Sequence, residues 1–273
     1  MSDIVLSAGV RSNLLQLQQT SDLITSTQTK LATGKRVNSA LDNPINFFTA
    51  QGLTVRANDL NSLLDSMSNG INTIQAANNG ITAITKLVQS AQSLTTQAQQ
   101  TTDPTTQTNL AAQFDSLLGQ IGQLASDSGF NGVNLLTGDT LTVTLDETGA
   151  STIDVTGVDY SNANNAPLNI ANAANNWSSA TDIATAATEL SAALTSLRSE
   201  SQTLSSSLST VQIRQDFTKS MINTLNTGAD NLTLADSNEE GANLLALQTR
   251  QQLSTTALSL AAQADQNVLR LFR

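Results

Sequence analysis

The feature that most constrains this chain is a repeat of residues at alternating spacings of three and four, sustained through four long segments. Val10, Leu14, Leu17, Ser21, Ile24, Gln28 and Leu31 carry it first. Leu60, Leu64, Met67, Ile71, Ile74, Asn78, Ile81, Thr85 and Val88 carry it again. Leu197, Ser201, Leu204, Leu208, Val211, Gln215, Thr218, Ile222 and Leu225 form the third run. Leu244, Leu247, Gln251, Ser254, Leu258, Ala261, Asp265, Val268 and Phe272 form the fourth. A mean spacing of 3.5 keeps one stripe of a helix turned toward a partner helix, whereas a strand would need a period of two. The polar members of each stripe cost stability but fix register. The fold expected is therefore mainly α, with long antiparallel coiled-coil helices pairing the two ends of the chain.

Turn chemistry divides the runs. Gly34 ends the first, and Gly228 stands as a plausible residue just past the third. Asp103 followed by Pro104 reads as an N-cap and first helical position, opening a helix through Leu110, Phe114, Leu117, Ile121 and Leu124. Residues 140–156 alternate instead: Leu141, Val143 and Leu145, a turn at "DETGAS", then Ile153 and Val155, which is the pattern of a β-hairpin. The polar stretch 157–178 reads as a surface loop, helix resumes near Ala180, and "ADSNEEG" opens the last helix. The division expected is 1–42 with 235–273 as an inner terminal coiled coil, and 43–234 as an outer bundle carrying the hairpin and loop.

The helices carry more apolar surface than one stripe. Leu6, Leu15 and Leu23 at one end, and Leu245, Leu253, Leu260 and Leu271 at the other, lie outside the seams. A helix with two apolar faces cannot bury both against a single neighbour, so the remainder is a contact surface. The last turn, with Val268, Leu269, Leu271 and Phe272, is expected to touch another copy of the chain.

Charge is arranged in blocks. Charged residues are only 12% of the 273, and the net charge is −10. Residues 87–197 hold no Lys or Arg and ten acids, whereas 1–86 sum to +1 and 198–273 to −1. Near-neutral ends can pack closely; an acidic middle stays solvated and repels its like. No basic stripe exists to neutralise phosphates, so nucleic acid is not expected as a partner. No apolar run approaches the ~20 residues of a membrane span, so membrane insertion is not expected either. The opening "MSDIVLSAGVRSNLLQLQQ" lacks a basic region followed by an apolar core, and no cleaved secretory signal is expected.

Chemistry-bearing residues are few. The chain has no His and no Cys, which removes zinc-hydrolase motifs, thiolate sites and His-based triads. "ATGKR" lacks the first glycine and the final Ser or Thr of a phosphate loop and reads as a helix end. Asp236, Glu239 and Glu240 fit the dipole of a helix start better than a calcium loop. Asn176-Trp177-Ser178 fits a glycosylation sequon, a weak signal; Trp177 can instead pack its loop onto the helices. No catalytic, cofactor or metal residue is assigned, and the chain is expected not to be an enzyme.

Three ordered motifs resemble bacterial flagellins, closest to the short α-proteobacterial type. "LATGKRVNSALDNP" is similar to the family's segment after the first helix, with Gly34, Arg36, Asn38, Ser39, Ala40 and Asp42 at motif positions. "FNGVNLL" (130–136) resembles the turn before the hairpin, and 247–273 resembles the C-terminal signature. "DNP" departs from the usual pattern, and the middle has room only for the hairpin. The resemblance implies an extracellular subunit that polymerises with its own kind into the swimming filament. It also implies hook-associated junction and cap proteins as neighbours, an export chaperone, and export without a cleaved signal peptide. Val10, Leu14, Leu17, Ile24, Leu31, Leu244, Leu247, Leu258, Val268 and Phe272 become the self-assembly residues. In members that activate the Toll-like receptor for flagellins, a QRxRELxxQ cluster makes the contact. Here Gln89, Ser90, Gln92, Ser93 and Leu94 stand at those positions, without the charges. A hook–filament junction protein and a soluble coiled-coil binding module are the alternative readings.

Overall fold

The computed structural model describes residues 8–271. Five helices and one hairpin follow each other: α1 (Ala8–Thr33), α2 (Pro44–Gln100), α3 (Pro104–Ser126), β1 (Thr140–Thr144), β2 (Thr152–Thr156), α4 (Ala180–Thr233) and α5 (Ser237–Leu271). The mainly helical class and the small antiparallel hairpin agree with the sequence. The chain divides into two compact units, residues 1–55 with 224–273, and residues 56–223.

In the first unit α1 packs along α5. The pair is antiparallel, because Lys30 near the end of α1 meets Glu240 near the start of α5, Nζ to Oε1 at 3.1 Å. On α5 the inward residues are those the periodicity marks: Leu244, Leu247, Gln251, Ser254, Leu258 and Ala261 are half-buried. On α1 only half of the expected stripe faces inward. Val10 is buried and Leu17, Ile24 and Leu31 are half-buried, but the second column is Asn13, Thr20 and Thr27 rather than Leu14, Ser21 and Gln28. Thr20 fits because its hydroxyl donates to the Gln16 carbonyl, 2.8 Å away on its own helix, leaving no polar atom unserved. Leu14 is thereby released to solvent, 41% exposed. The side chain of Val268, together with Leu6 and Phe272, lies outside the described residues.

The second unit is built on a seam between α2 and α4. Met67, Ile74, Ile81 and Val88 from α2 and Leu197, Leu204 and Val211 from α4 are buried in one core. Polar seam residues find each other across it. Ser201 Oγ donates to Asn78 Oδ1 at 3.2 Å, and Gln215 Nε2 donates to Ser68 Oγ at 2.9 Å. A one-residue slip would break both bonds and leave half-buried polar atoms without their partners, so they pin the register.

Helix α3 adds a third layer through Leu110, Phe114, Leu118 and Ile121. Asp103 caps it as expected, its side chain accepting from the Thr106 N–H, with Pro104 in the first turn. The hairpin pairs Leu141 with Val155 and Val143 with Ile153, and turns Val143 and Val155 into the core.

Two expectations are corrected. Gly228 does not end its helix; α4 continues to Thr233, since Gly is tolerated inside a helix that packs on a neighbour. The stretch 157–178 is not a surface loop. Tyr160, Ala163, Leu168, Ile170 and Trp177 are buried in it, and Trp177 lies 4.9 Å from Phe114, ring centre to ring centre. Its polar composition hides this because the Asn residues serve the backbone: Asn164 Nδ2 donates to the Ile170 carbonyl, and Asn175, Asn176 and Trp177 adopt positive φ in a short 3-10 turn.

Candidate self-assembly surface

The first unit exposes apolar side chains on three helices. On α1, Leu15 and Leu23 join Leu14 in solvent. On α5, Leu245, Leu253 and Leu260 recur every seven or eight residues, between 62% and 67% exposed. They stand on the side of α5 away from its half-buried seam. These residues are the surplus that the pattern anticipates, with Leu14 added to them. Leu17, Ile24, Leu31, Leu244, Leu247 and Leu258 are half-buried and hold α1 and α5 to each other instead.

A further stripe escaped the sequence reading. Leu41, Ile45, Phe48 and Val55 are exposed, Leu41 at 95%. They keep the same four–three rhythm, with Gly52 in the open position; Ile45, Phe48 and Val55 belong to one face at the start of α2, and Leu41 stands in the turn before it. The signal was present in the spacing, but "DNP" interrupts it and the run was read only from Leu60.

The connector motif sets where this face begins. Gly34 ends α1 at φ +67°, a left-handed conformation that glycine adopts without strain. The Gly34 carbonyl accepts from Ala235 N–H at 3.0 Å, and Arg36 N–H donates to the Thr233 carbonyl at 2.8 Å. Arg36 also donates from Nη2 to the Asn231 carbonyl at 3.1 Å. The α1–α2 and α4–α5 connectors are thus tied to each other. Asp42 Oδ2 accepts from the Asn38 and Ser39 N–H groups, both at 2.9 Å, and from Ser39 Oγ at 3.2 Å. These backbone donors at Asn38 and Ser39, with the Ser39 hydroxyl, hold its carboxyl below the usual carboxylate range. Asn43 then caps α2, its Oδ1 accepting from Asn46 N–H at 3.0 Å, with Pro44 as the first helical residue. "DNP" is therefore one turn-closing acid followed by a helix start.

At the other singled-out positions, Ser90 and Ser93 are exposed, Gln92 is half-buried, and Leu94 packs partly against the core. Asp236 caps α5, accepting from the Asn238 and Glu239 N–H groups, while Glu240 is held by Lys30. Among the described residues no cluster of three acids, His or Cys could hold a metal, and no helix is long and apolar enough to cross a membrane.

Comparison with known proteins matches two family descriptions: "Bacterial flagellin N-terminal helical region" over residues 8–140, and "Bacterial flagellin C-terminal helical region" over 183–272. Flagellin FljK of Caulobacter vibrioides is 33% identical over 282 aligned residues, covering 100% of this chain and 99% of that protein. A flagellin of Brucella melitensis is 26% identical with full coverage of both. Among solved structures, the crystal structure of Bacillus cereus flagellin aligns at a TM-score of 0.47 and 20% identity, covering 57% of this chain and 88% of that one.

Proposed function

The chain belongs to the bacterial flagellin family, whose members are the structural subunits of the flagellar filament, and from that premise we propose how this one assembles. The observation that carries the reading is the double-faced α1–α5 pair. One face of each helix is used inside the chain, and Leu14, Leu15, Leu23, Leu245, Leu253 and Leu260 remain in solvent. Burying an exposed leucine contributes about 1.5–3 kcal/mol, so six of them, multiplied along a polymer, supply a drive that no monomer can use. Neighbouring copies dry this surface, with Val10, Leu17, Ile24, Leu31, Leu244, Leu247, Leu258, Val268 and Phe272 holding the pair in shape or extending it.

The connector residues Gly34, Arg36, Asn38, Ser39 and Asp42 close the turns at the base of the assembling pair and tie the α1–α2 connector to the end of α4. The acidic stretch 87–197 faces solvent in the filament. The same apolar faces require a cytoplasmic chaperone to cover the C-terminal helix before export, which proceeds without removal of an N-terminal peptide. Hook-associated junction and cap proteins contact the first and last subunits through this surface. The protein does no chemistry of its own.

The test is electron microscopy of the purified chain after seeding in a precipitating salt. Long filaments support the reading; a short self-limited ring, or a stable monomer that never polymerises, overturns it.

A further inference from the structure

The base-free stretch 87–197 is bracketed by Lys86 and Arg198. The fold brings these two residues together. Both line one groove of about 380 Å³ between α2 and α4, over a floor of Ile81 and Leu197 and beside the hydroxyl residues Thr85 and Ser201. Both are exposed, and no acid lines the groove. Of the other cations of the second unit, Arg56 pairs with Glu147 at 2.6 Å and Lys219 with Asp216 at 3.5 Å, while Arg214, away from the groove lining, forms no ion pair among the described residues. Neither Lys86 nor Arg198 forms an ion pair within the described residues. The groove therefore holds two unneutralised positive charges on a chain of net charge −10.

The acids of the base-free stretch show the converse. Most are committed: Asp103 caps α3, Asp115 accepts from Ala173 N–H, Asp146 closes the hairpin turn and Glu189 accepts from Ala171 N–H. Asp127, at the end of α3, and Asp154, on the outer face of β2, are exposed and have no side-chain partner among the described residues. Opposite charges left unpaired in different parts of one unit are the complement a second copy needs, and the stretch carrying these acids has no cation to oppose the approach.

We propose that the groove at Lys86 and Arg198 docks the base-free stretch of a second copy of this chain, through the carboxylates of Asp127 and Asp154. The inference rests on the filament reading and adds to it a polar contact away from the apolar helix pair. Its role is orientation more than affinity, since exposed ion pairs contribute little each but penalise wrong approaches. It also offsets the self-repulsion that an acidic outer region brings to a polymer.

The experiment measures the critical concentration for seeded polymerisation of the full chain and three variants: K86Q/R198Q, the reversal K86E/R198E, and the reversal D127K/D154K. All four positions are exposed, and circular dichroism verifies unchanged monomers. If the parent forms no filaments, the filament reading itself fails, which is a separate result. Given filaments, K86Q/R198Q is expected to raise the critical concentration about fivefold, the order that two exposed pairs support. Each reversal alone is expected to raise it further, and an equimolar mixture of the two reversed chains to return toward the parent. Parent-like values for K86Q/R198Q would overturn the proposal. Loss without recovery in the mixture would overturn it as well, because the groove would then serve a different anionic partner.

Discussion

Gly122 and Gly119 sit one turn apart on α3 and make a controlled pair. A Cβ at Gly122 would collide with the carbonyl oxygen of Ser161, whereas one at Gly119 meets nothing within 4 Å. The obstruction is backbone, and it cannot retreat alone, because Tyr160 and Ala163 on either side of Ser161 are 1% and 2% exposed. Relief needs a movement of roughly 1 Å that unseats both, which by the usual cost of overpacking is about 1–3 kcal/mol or more. Helix propensity works the other way, with Ala favoured over Gly by about 1 kcal/mol. Gly119→Ala is therefore expected to stabilise by up to ~1 kcal/mol, and Gly122→Ala to destabilise by up to about 2 kcal/mol net. Urea unfolding followed at 222 nm reads both as shifts in midpoint at constant slope. Equal midpoints for the two variants would refute the claim that residues 157–178 are packed against α3.

Other outcomes follow from the same contacts. Leu253→Asp is expected to leave monomer helicity unchanged and abolish polymerisation, an uncompensated charge on a surface that must become dry costing several kcal/mol. Leu258→Asp, on the half-buried seam, should also stop polymerisation while loosening the α1–α5 pair in the monomer, seen as faster proteolysis of the ends; normal filaments from either variant would refute this. Burial raises the carboxyl of Glu200 above its ordinary value near 4.5. The fold thus favours the protonated form, and this stability is present below the unfolded value and lost as pH rises through the folded one. Glu200→Gln is accordingly expected to raise Tm at pH 7 by about 1–3 °C and to make no difference at pH 4; a lower Tm at pH 7 would contradict it. In a receptor reporter assay the parent monomer is expected to signal weakly, and Ser90→Arg, Gln92→Arg and Ser93→Glu together to raise the signal, since charge-assisted bonds at an interface centre are worth ~2–5 kcal/mol. Strong signalling by the parent would end that reading.

Periodicity made the helices, their pairing and the α5 seam legible, because burial along a helix follows a fixed angular repeat that sequence spacing reports directly. The hairpin was legible for the same reason at period two. Cap chemistry located the start of α3 because Asp103 and Pro104 act locally. What escaped depends on the partner and not on the residue. Thr20 and Thr27 face inward while Leu14 does not, a choice made by the geometry of α5 and by a hydroxyl that satisfies itself on its own helix. The packing of 157–178 was hidden because Asn side chains that bond backbone look, in sequence, like Asn side chains in water. The assembly surface was half visible: the surplus leucines of α1 and α5 stood out, but Leu41, Ile45, Phe48 and Val55, set before the long run that begins at Leu60, did not.

The central claim is that the exposed face of α5 is dried by neighbouring copies. The chain has no cysteine, so a single Leu253→Cys reports on that face alone. Thiol labelling is measured in monomer and in pelleted filament, with Ala150→Cys in the hairpin turn as the reference for reagent access. The account predicts fast labelling of both positions in monomer. In filament it predicts protection on the order of 100-fold at position 253, with position 150 still open. Labelling of position 253 in filament at the monomer rate would contradict it.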